Sequence, residues 1–518
     1  MKSPIRRWLA LGLMGGFCLS LASKLEAQLT VYLRADTAIQ TMPDGRQVLM
    51  WGYAKDSSFG AHDGTVSVPG PLITVPHTFT KLTIVLENNL AEATSIVIPN
   101  QHTASVLDNG TPVPPTTHTR FTDSQNRSRA TSFTFDTPPG NTTPVTYVWD
   151  NLTPGTYLYH SGSHAALQTQ MGLYGAMIKR LPSGTTGNGV YPGLVVKAGN
   201  QVPLVFSEID AEVHDAVQAG QYGPGGTITS MQHSTPDYFL INGQCYTGAQ
   251  PAIQAGALGD TILLRMINAS ANQHVPVLGQ QSMTVIAEDG RPYADRRTGQ
   301  YSVFLPAMKT CDALFVPLLG GAYPIYDRAT GFTSHGTTGP VGGMLAYLAI
   351  GQNFTATAPA NIPESGQASR YGYNITVPAT FDWKVAKVRV ILYKLSHPRP
   401  ADLDILLVSP DGTAVMLMSD AGGTAQPANL VSLTFDDSVS VSVPTPLGTG
   451  AWKPTDINTG PDTFPAPAPA GPYAATLSAF NGSPAAGTWS LYIVDDDPTG
   501  GGTGRLNAGW QLFLTPAP

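Results

Sequence analysis

Cysteine is scarce in this chain: there are three in 518 residues, and Cys18 falls in the N-terminal apolar run, leaving Cys245 and Cys311. A disulfide-dense scaffold and a cysteine-rich zinc fold are therefore excluded. Charge is thin as well, at 12% Asp, Glu, Lys and Arg, with a net charge of −7 and no basic cluster. That excludes nucleic acid as a partner, because phosphate contact needs Lys and Arg gathered on one face. No long stretch carries the 3.6-residue apolar period of an amphipathic helix, and no apolar run is long enough to span a bilayer comfortably. What is abundant is turn chemistry, 54 glycines and 44 prolines, between short runs rich in Val, Ile, Thr and Tyr. That combination predicts an all-β chain, and the length suffices for three domains.

Lys2, Arg6 and Arg7 precede an apolar run from Trp8 to Ala22, and Leu25-Glu26-Ala27 offers a cleavage site. Residues 1–27 read as an export signal, and Arg6-Arg7-Trp8-Leu9 is similar to a twin-arginine signal. Export places the protein in the periplasm or outside the cell, with no transmembrane anchor once the signal is removed. Cleavage takes away four positive charges and one negative, leaving about −10. In an oxidising compartment the expected state of Cys245 and Cys311 is one disulfide within the second domain. Closing that loop stabilises the fold by roughly 4 kcal/mol; buried, inert thiols are the alternative.

The stretch Gly155 to Arg180 organises the first domain. Gly155-Thr156-Tyr157-Leu158-Tyr159 reads as a strand, His160 and His164 follow four apart, and Gly172-Leu173-Tyr174-Gly175-Ala176-Met177-Ile178 reads as a second strand. This hairpin, together with Pro69–Val75, Leu82–Asn88 and Thr94-Ser95-Ile96, resembles the first cupredoxin domain of multicopper oxidases. Ile241-Asn242-Gly243, Leu264–Ala269 and Thr284–Gly290 resemble a second such domain, and Gly321–Tyr326 followed by Gly342–Leu345 repeats the hairpin layout. The resemblance implies two Greek-key β-sandwiches, at 28–182 and 201–352, joined by a linker at 183–200.

The resemblance also implies copper, and here the residues depart from the family. His-x-His ligands are expected directly after Thr-Ser-Ile, where Val97 and Pro99 stand, and the second histidine of the first hairpin is Gly162. The second hairpin of two-domain relatives carries a cysteine that binds blue copper with imidazoles; here it reads Tyr326-Asp327-Arg328-Ala329. The remaining candidate copper ligands are His102, His160 and His164, with Met171 beside them. The opposing reading makes His160 a core residue bonded to backbone and His102 a surface residue.

After a linker at 353–368, residues 369–518 resemble the P domain of proprotein convertases, which implies a jelly-roll-like β-sandwich. The resemblance is carried by Asp402–Thr413, Gly487–Leu491 and the run to Trp510. No Gly-Thr-Ser nucleophile segment and no His-Gly-Thr-bearing helix accompany it, so the chain does not read as a protease. Asp495, Asp496 and Asp497 offer hard oxygens suited to calcium, with an acidic surface turn as the equal alternative. Catalytic residues are not assigned.

Two functions follow. One is an exported scaffold or binding protein with at most a residual copper site, using its C-terminal domain for a cell-surface or protein partner. The other is a copper-dependent oxidoreductase with a non-standard site, or with one shared across a homo-oligomer interface. The missing ligands favour the first on chemistry, because fold alone does not fix function.

Overall fold

The computed structural model describes residues 27–115, 117–122, 125–181, 189–294, 299–329, 343–457, 462–499 and 502–517. The expected signal lies outside these except for Ala27, as does part of the 183–200 linker. The chain is overwhelmingly β, as its turn-rich composition requires, with two short α-helices among the described residues. No helix among them is long and apolar enough to cross a membrane.

The first sandwich faces a six-stranded sheet against a three-stranded one. Its central strand Lys81–Asn88 buries every residue after the first, which is why it reads as a continuous apolar run rather than an alternation. The smaller sheet is formed by Gly155–His160, Tyr174–Lys179 and Gly70–Val75, and the first two of these are buried throughout. Tyr53, Tyr147, Trp149, Tyr157 and Tyr159 fill the space between the sheets. Between the hairpin strands, where a loop is expected, the chain forms the helix Ala165–Met171. Gln168 anchors it by donating to the carbonyl of Ala93, 2.8 Å, and accepting from the Ser161 hydroxyl, 2.6 Å.

The second sandwich repeats the plan around Gln201–Ile209, Ile262–Asn268 and Thr310–Phe315. It is fastened to the first through Arg265, which is fully buried. Its guanidinium lies 3.2 Å from Asp312 and donates to the Thr156 hydroxyl of the first sandwich and to Gln201. Asp312 also accepts from Thr156, 2.7 Å, and from Tyr191, 2.6 Å. A buried charge pair is tolerated when most of its remaining lone pairs and protons find such partners; here the Arg265 Nε alone of the guanidinium nitrogens has none among the described residues.

Residues 353–368 are not a free linker. The strand Leu345–Ala356 begins paired with Gly321–Asp327 in the second sandwich and ends paired with Trp510–Pro516 in the third. Ala360–Ile362 and Gly366–Gln367 then enter the two sheets of the third sandwich. The crossing is at Gly351, where a Cβ would sit 2.1 Å from the Phe513 ring, so a larger residue there would have to displace that ring. The third sandwich closes over Trp489, Trp510, Phe435 and Phe480.

The expected disulfide is absent. Cys311, on the strand Thr310–Phe315, points into the second core, while Cys245 packs with Met42, Val48 and Met50 in a separate cluster. Burial pushes the Cys311 thiol well above its usual pKa, the setting of an inert buried sulfur.

Candidate metal centre

Backbone pairing fixes the geometry of the first hairpin. The Val97 N–H donates to the His160 carbonyl, 2.9 Å, and the His160 N–H donates back to Val97, 3.1 Å. This holds the Thr94–Val97 segment flat against the strand that carries His160. Side-chain space is then set by position 162: a Cβ on Gly162 would lie 2.8 Å from Val97 Cγ1 and 3.0 Å from Ser95 Oγ. Val97 therefore occupies the room that a side chain at 162 needs, and two of the expected ligand positions exclude one another here.

His160 is 4% exposed. Its Nδ1 lies 2.8 Å from the Ser161 carbonyl, which can only accept, so Nδ1 carries the proton and Nε2 keeps a lone pair. Burial pushes its pKa down to about 4 against the smaller opposing effect of that hydrogen bond. A neutral imidazole steadied by a backbone carbonyl is the form in which histidine binds metal. His160 borders a cavity of about 250 Å3 whose wall also includes His102, Val97, Pro99 and Trp149. It borders a second, more apolar cavity of about 360 Å3 on the side of the second sandwich.

The other expected ligands do not converge on this point. His164 takes a left-handed backbone at the start of the helix, φ 39°, and stands outside both cavities with its ring 3.9 Å from Glu92, whose carboxylate raises its pKa. Met171 is wholly buried in the first core. On the second hairpin Asp327 is fully buried and bound by protein groups. It accepts from Val275 N–H, 2.6 Å, from Ala329 N–H, 3.2 Å, and from His274, 3.1 Å. Burial alone would raise its pKa, but these bonds prevail and hold it at about 2.

Asp495 ends the strand Gly487–Asp495, and Asp496 and Asp497 follow it outside the strand. Asp495 pairs with His397, 3.0 Å, and Asp497 with Arg399, 3.3 Å. Asp496 is instead raised in pKa by burial and by the carboxylates of Asp420 and Asp462. The three oxygens expected to share a calcium ion thus have different partners. Among the described residues no three His, Cys, Asp or Glu side chains are grouped as metal ligands.

Residues 202–347 match the family model for multicopper oxidase, and residues 385–463 match that for the proprotein convertase P-domain. Among solved structures it is similar to the blue copper oxidase from Nitrosomonas europaea, with 19% identity over 62% of this chain and 86% of that one, TM-score 0.45. A multicopper oxidase, mgLAC, shows 20% identity over the same shares, TM-score 0.45. The copper nitrite reductase from Nitrosomonas europaea shows 18% identity over 62% and 93%, TM-score 0.43. No curated protein matches the chain.

Copper is the metal the multicopper oxidase match implies, and the described residues at the expected ligand positions do not fit a copper cluster. Val97 fills the space of residue 162, Pro99 has no lone pair to give, and Asp327 spends its oxygens on protein donors. What remains is the lone pair of His160, with His102 on the same cavity wall.

Because Val97 and Gly162 share one space, their substitutions are expected to couple. Gly162→Ala should destabilise the first sandwich by about 1–3 kcal/mol through overpacking. In the Val97→Ala background the same change should cost less than half as much. Denaturant unfolding of the four proteins measures the coupling, and additive effects would place the two side chains apart.

Sequence reading missed the polar group Ser270, His274 and Asp327, with Glu208 beside it. Its one sequence signal is Asn268-Ala269-Ser270-Ala271-Asn272-Gln273-His274, polar residues interleaved with alanine at the end of a buried strand.

Proposed function

We propose that this is an exported scaffold or binding protein built on multicopper-oxidase-type sandwiches, without the oxidase electron path, holding at most one copper at His160 with His102. The observation that carries this reading is the contact of Val97 with position 162 beside a His160 whose Nε2 alone keeps a lone pair. Both ends of an electron path are affected, since Asp327-Arg328 occupies the place of the blue-copper cysteine, with Arg328 near the thiolate position and Asp327 committed to three protein donors. Export is supported by Lys2, Arg6 and Arg7 before the apolar run. Attachment through the C-terminal sandwich is supported by an open groove of about 890 Å3 lined with Asn361, Ser396, Asn429, Arg505 and Asn507.

Copper titration of the metal-free protein tests the site. The intact protein is expected to bind one equivalent at most, and His160→Ala should abolish uptake while the melting midpoint stays within a few degrees. His102→Ala should weaken binding by tenfold or more, and His164→Ala should leave it unchanged. Uptake unaffected by His160→Ala would overturn the assignment.

A further inference from the structure

We propose that Ser270, His274 and Asp327 form a hydrolytic triad that opens onto the 360 Å3 cavity and cleaves small esters with an apolar acyl group. The three come from two separate pieces of the second sandwich. Ser270 and His274 lie on the loop after Ile262–Asn268, and Asp327 ends the strand Gly321–Asp327. Asp327 Oδ2 is 3.1 Å from His274 Nδ1, and His274 Nε2 is 2.9 Å from Ser270 Oγ. That is the order of nucleophile, base and orienting carboxylate.

The carboxylate is held by the N–H groups of Val275 and Ala329, and through it the ring is held with its proton on Nδ1. Nε2 is then the atom that takes the serine proton. Ser270 Oγ also lies 2.7 Å from Asn268 Oδ1 and 3.0 Å from the Asn272 carbonyl. Its single proton thus has three acceptors, and it reaches Nε2 by rotation about one bond. Glu208 Oε1, 3.6 Å from Nε2, steadies the imidazolium that forms.

A second, independent observation points to a ligand. The cavity that Ser270 borders has an apolar side formed by Ala166, Ala269, Ala271, Phe133 and Met308, with His160 and Gln170 also on the wall. Thr169 also lines it, is 5% exposed, and its hydroxyl has no hydrogen-bond partner among the described residues. An unpaired buried hydroxyl is costly, and the carbonyl oxygen of a bound ester supplies the missing acceptor. The apolar wall takes the acyl chain.

In the reaction Ser270 Oγ bonds to the carbonyl carbon as its proton passes to Nε2. Thr169 donates to the carbonyl oxygen as negative charge grows there. The bond to the alcohol oxygen breaks and the alcohol leaves with the proton from Nε2. Water then attacks the acyl-serine, gives a proton to His274, and the carboxylic acid departs as Ser270 is reprotonated. The cycle consumes one ester and one water and uses neither proposed copper ligand, although His160 also borders this cavity.

The test uses the whole mature protein, freed of metal, with p-nitrophenyl butyrate as substrate and a fluorophosphonate as covalent probe. The expected result is hydrolysis above background and a single label that maps to Ser270 by mass spectrometry. Ser270→Ala should lose both. Thr169→Val should lower kcat roughly ten- to a hundredfold. Asp327→Asn should lower kcat on the order of a thousandfold or more with KM unchanged, a split that mere loosening of the fold does not give. Ala166→Phe, which fills the cavity and leaves the triad's bonds alone, should raise KM for butyrate at least tenfold. Hydrolysis equal in wild type and Ser270→Ala, or no label on Ser270 of the folded wild type, would overturn the proposal. Where Ser270→Ala does not fold, the position of the label on the wild type decides.

Discussion

Replacing Asp312 by alanine is expected to cost about 3–5 kcal/mol, because it strands the guanidinium of Arg265 in a fully buried position. The loss should appear as a fall of roughly 10 °C in the melting midpoint of the first two sandwiches. The effect exceeds that of an ordinary surface pair because both partners are essentially unexposed, with side-chain exposures of 0% and 1%. Asp312 also receives the hydroxyls of Thr156 and Tyr191, so its removal orphans donors on both sides of the interface between the sandwiches. Replacing both charges, with Arg265→Met and Asp312→Leu together, should recover more than half of the loss, since no charge is then left unpaired. Calorimetry of the three proteins checks this. A single variant as stable as the wild type would show that the pair does not hold the interface.

The second large effect is on acid stability. His160 is held neutral, with a pKa lowered to about 4 by burial from an ordinary value near 6.5. As pH falls the unfolded chain takes up this proton first, so stability is complete above about 6.5 and is lost as pH drops from there towards 4. The total is about 3 kcal/mol. In metal-free protein the melting midpoint should therefore fall between pH 7 and pH 4.5, and His160→Gln should remove part of that fall. The comparison isolates His160 from His214, which is buried too and whose pKa is also lowered by burial. The same pH dependence in both proteins would mean that His160 is not the buried neutral group described.

How much of this was legible in the sequence depends on the distance over which each feature is specified. Lys81–Asn88 and Gly155–His160 announce themselves as buried strands because burial on both faces leaves a continuous apolar run. The loss of ligands at Val97, Pro99, Gly162 and Asp327-Arg328 is visible because each stands against one expectation of the motif. The partner of Arg265 is not visible, since Asp312 stands 47 positions away and Thr156 stands 109 away. The triad geometry is hidden for the same reason, with His274 and Asp327 separated by 53 positions. The run 353–368 misleads through its prolines and glycine, which here mark short edge pairings and a strand shared by two sandwiches. The cysteines mislead because composition gives a compartment and not a direction: their side chains enter different cores.

The central claim is that the sandwiches survive without the copper chemistry their resemblance implies. Copper content and the absorption spectrum of the purified, copper-loaded mature protein test it most directly. One copper per chain at most, with no intense band in the orange-red, is the expected result. Three or four coppers per chain with a strong band in that region would contradict the account.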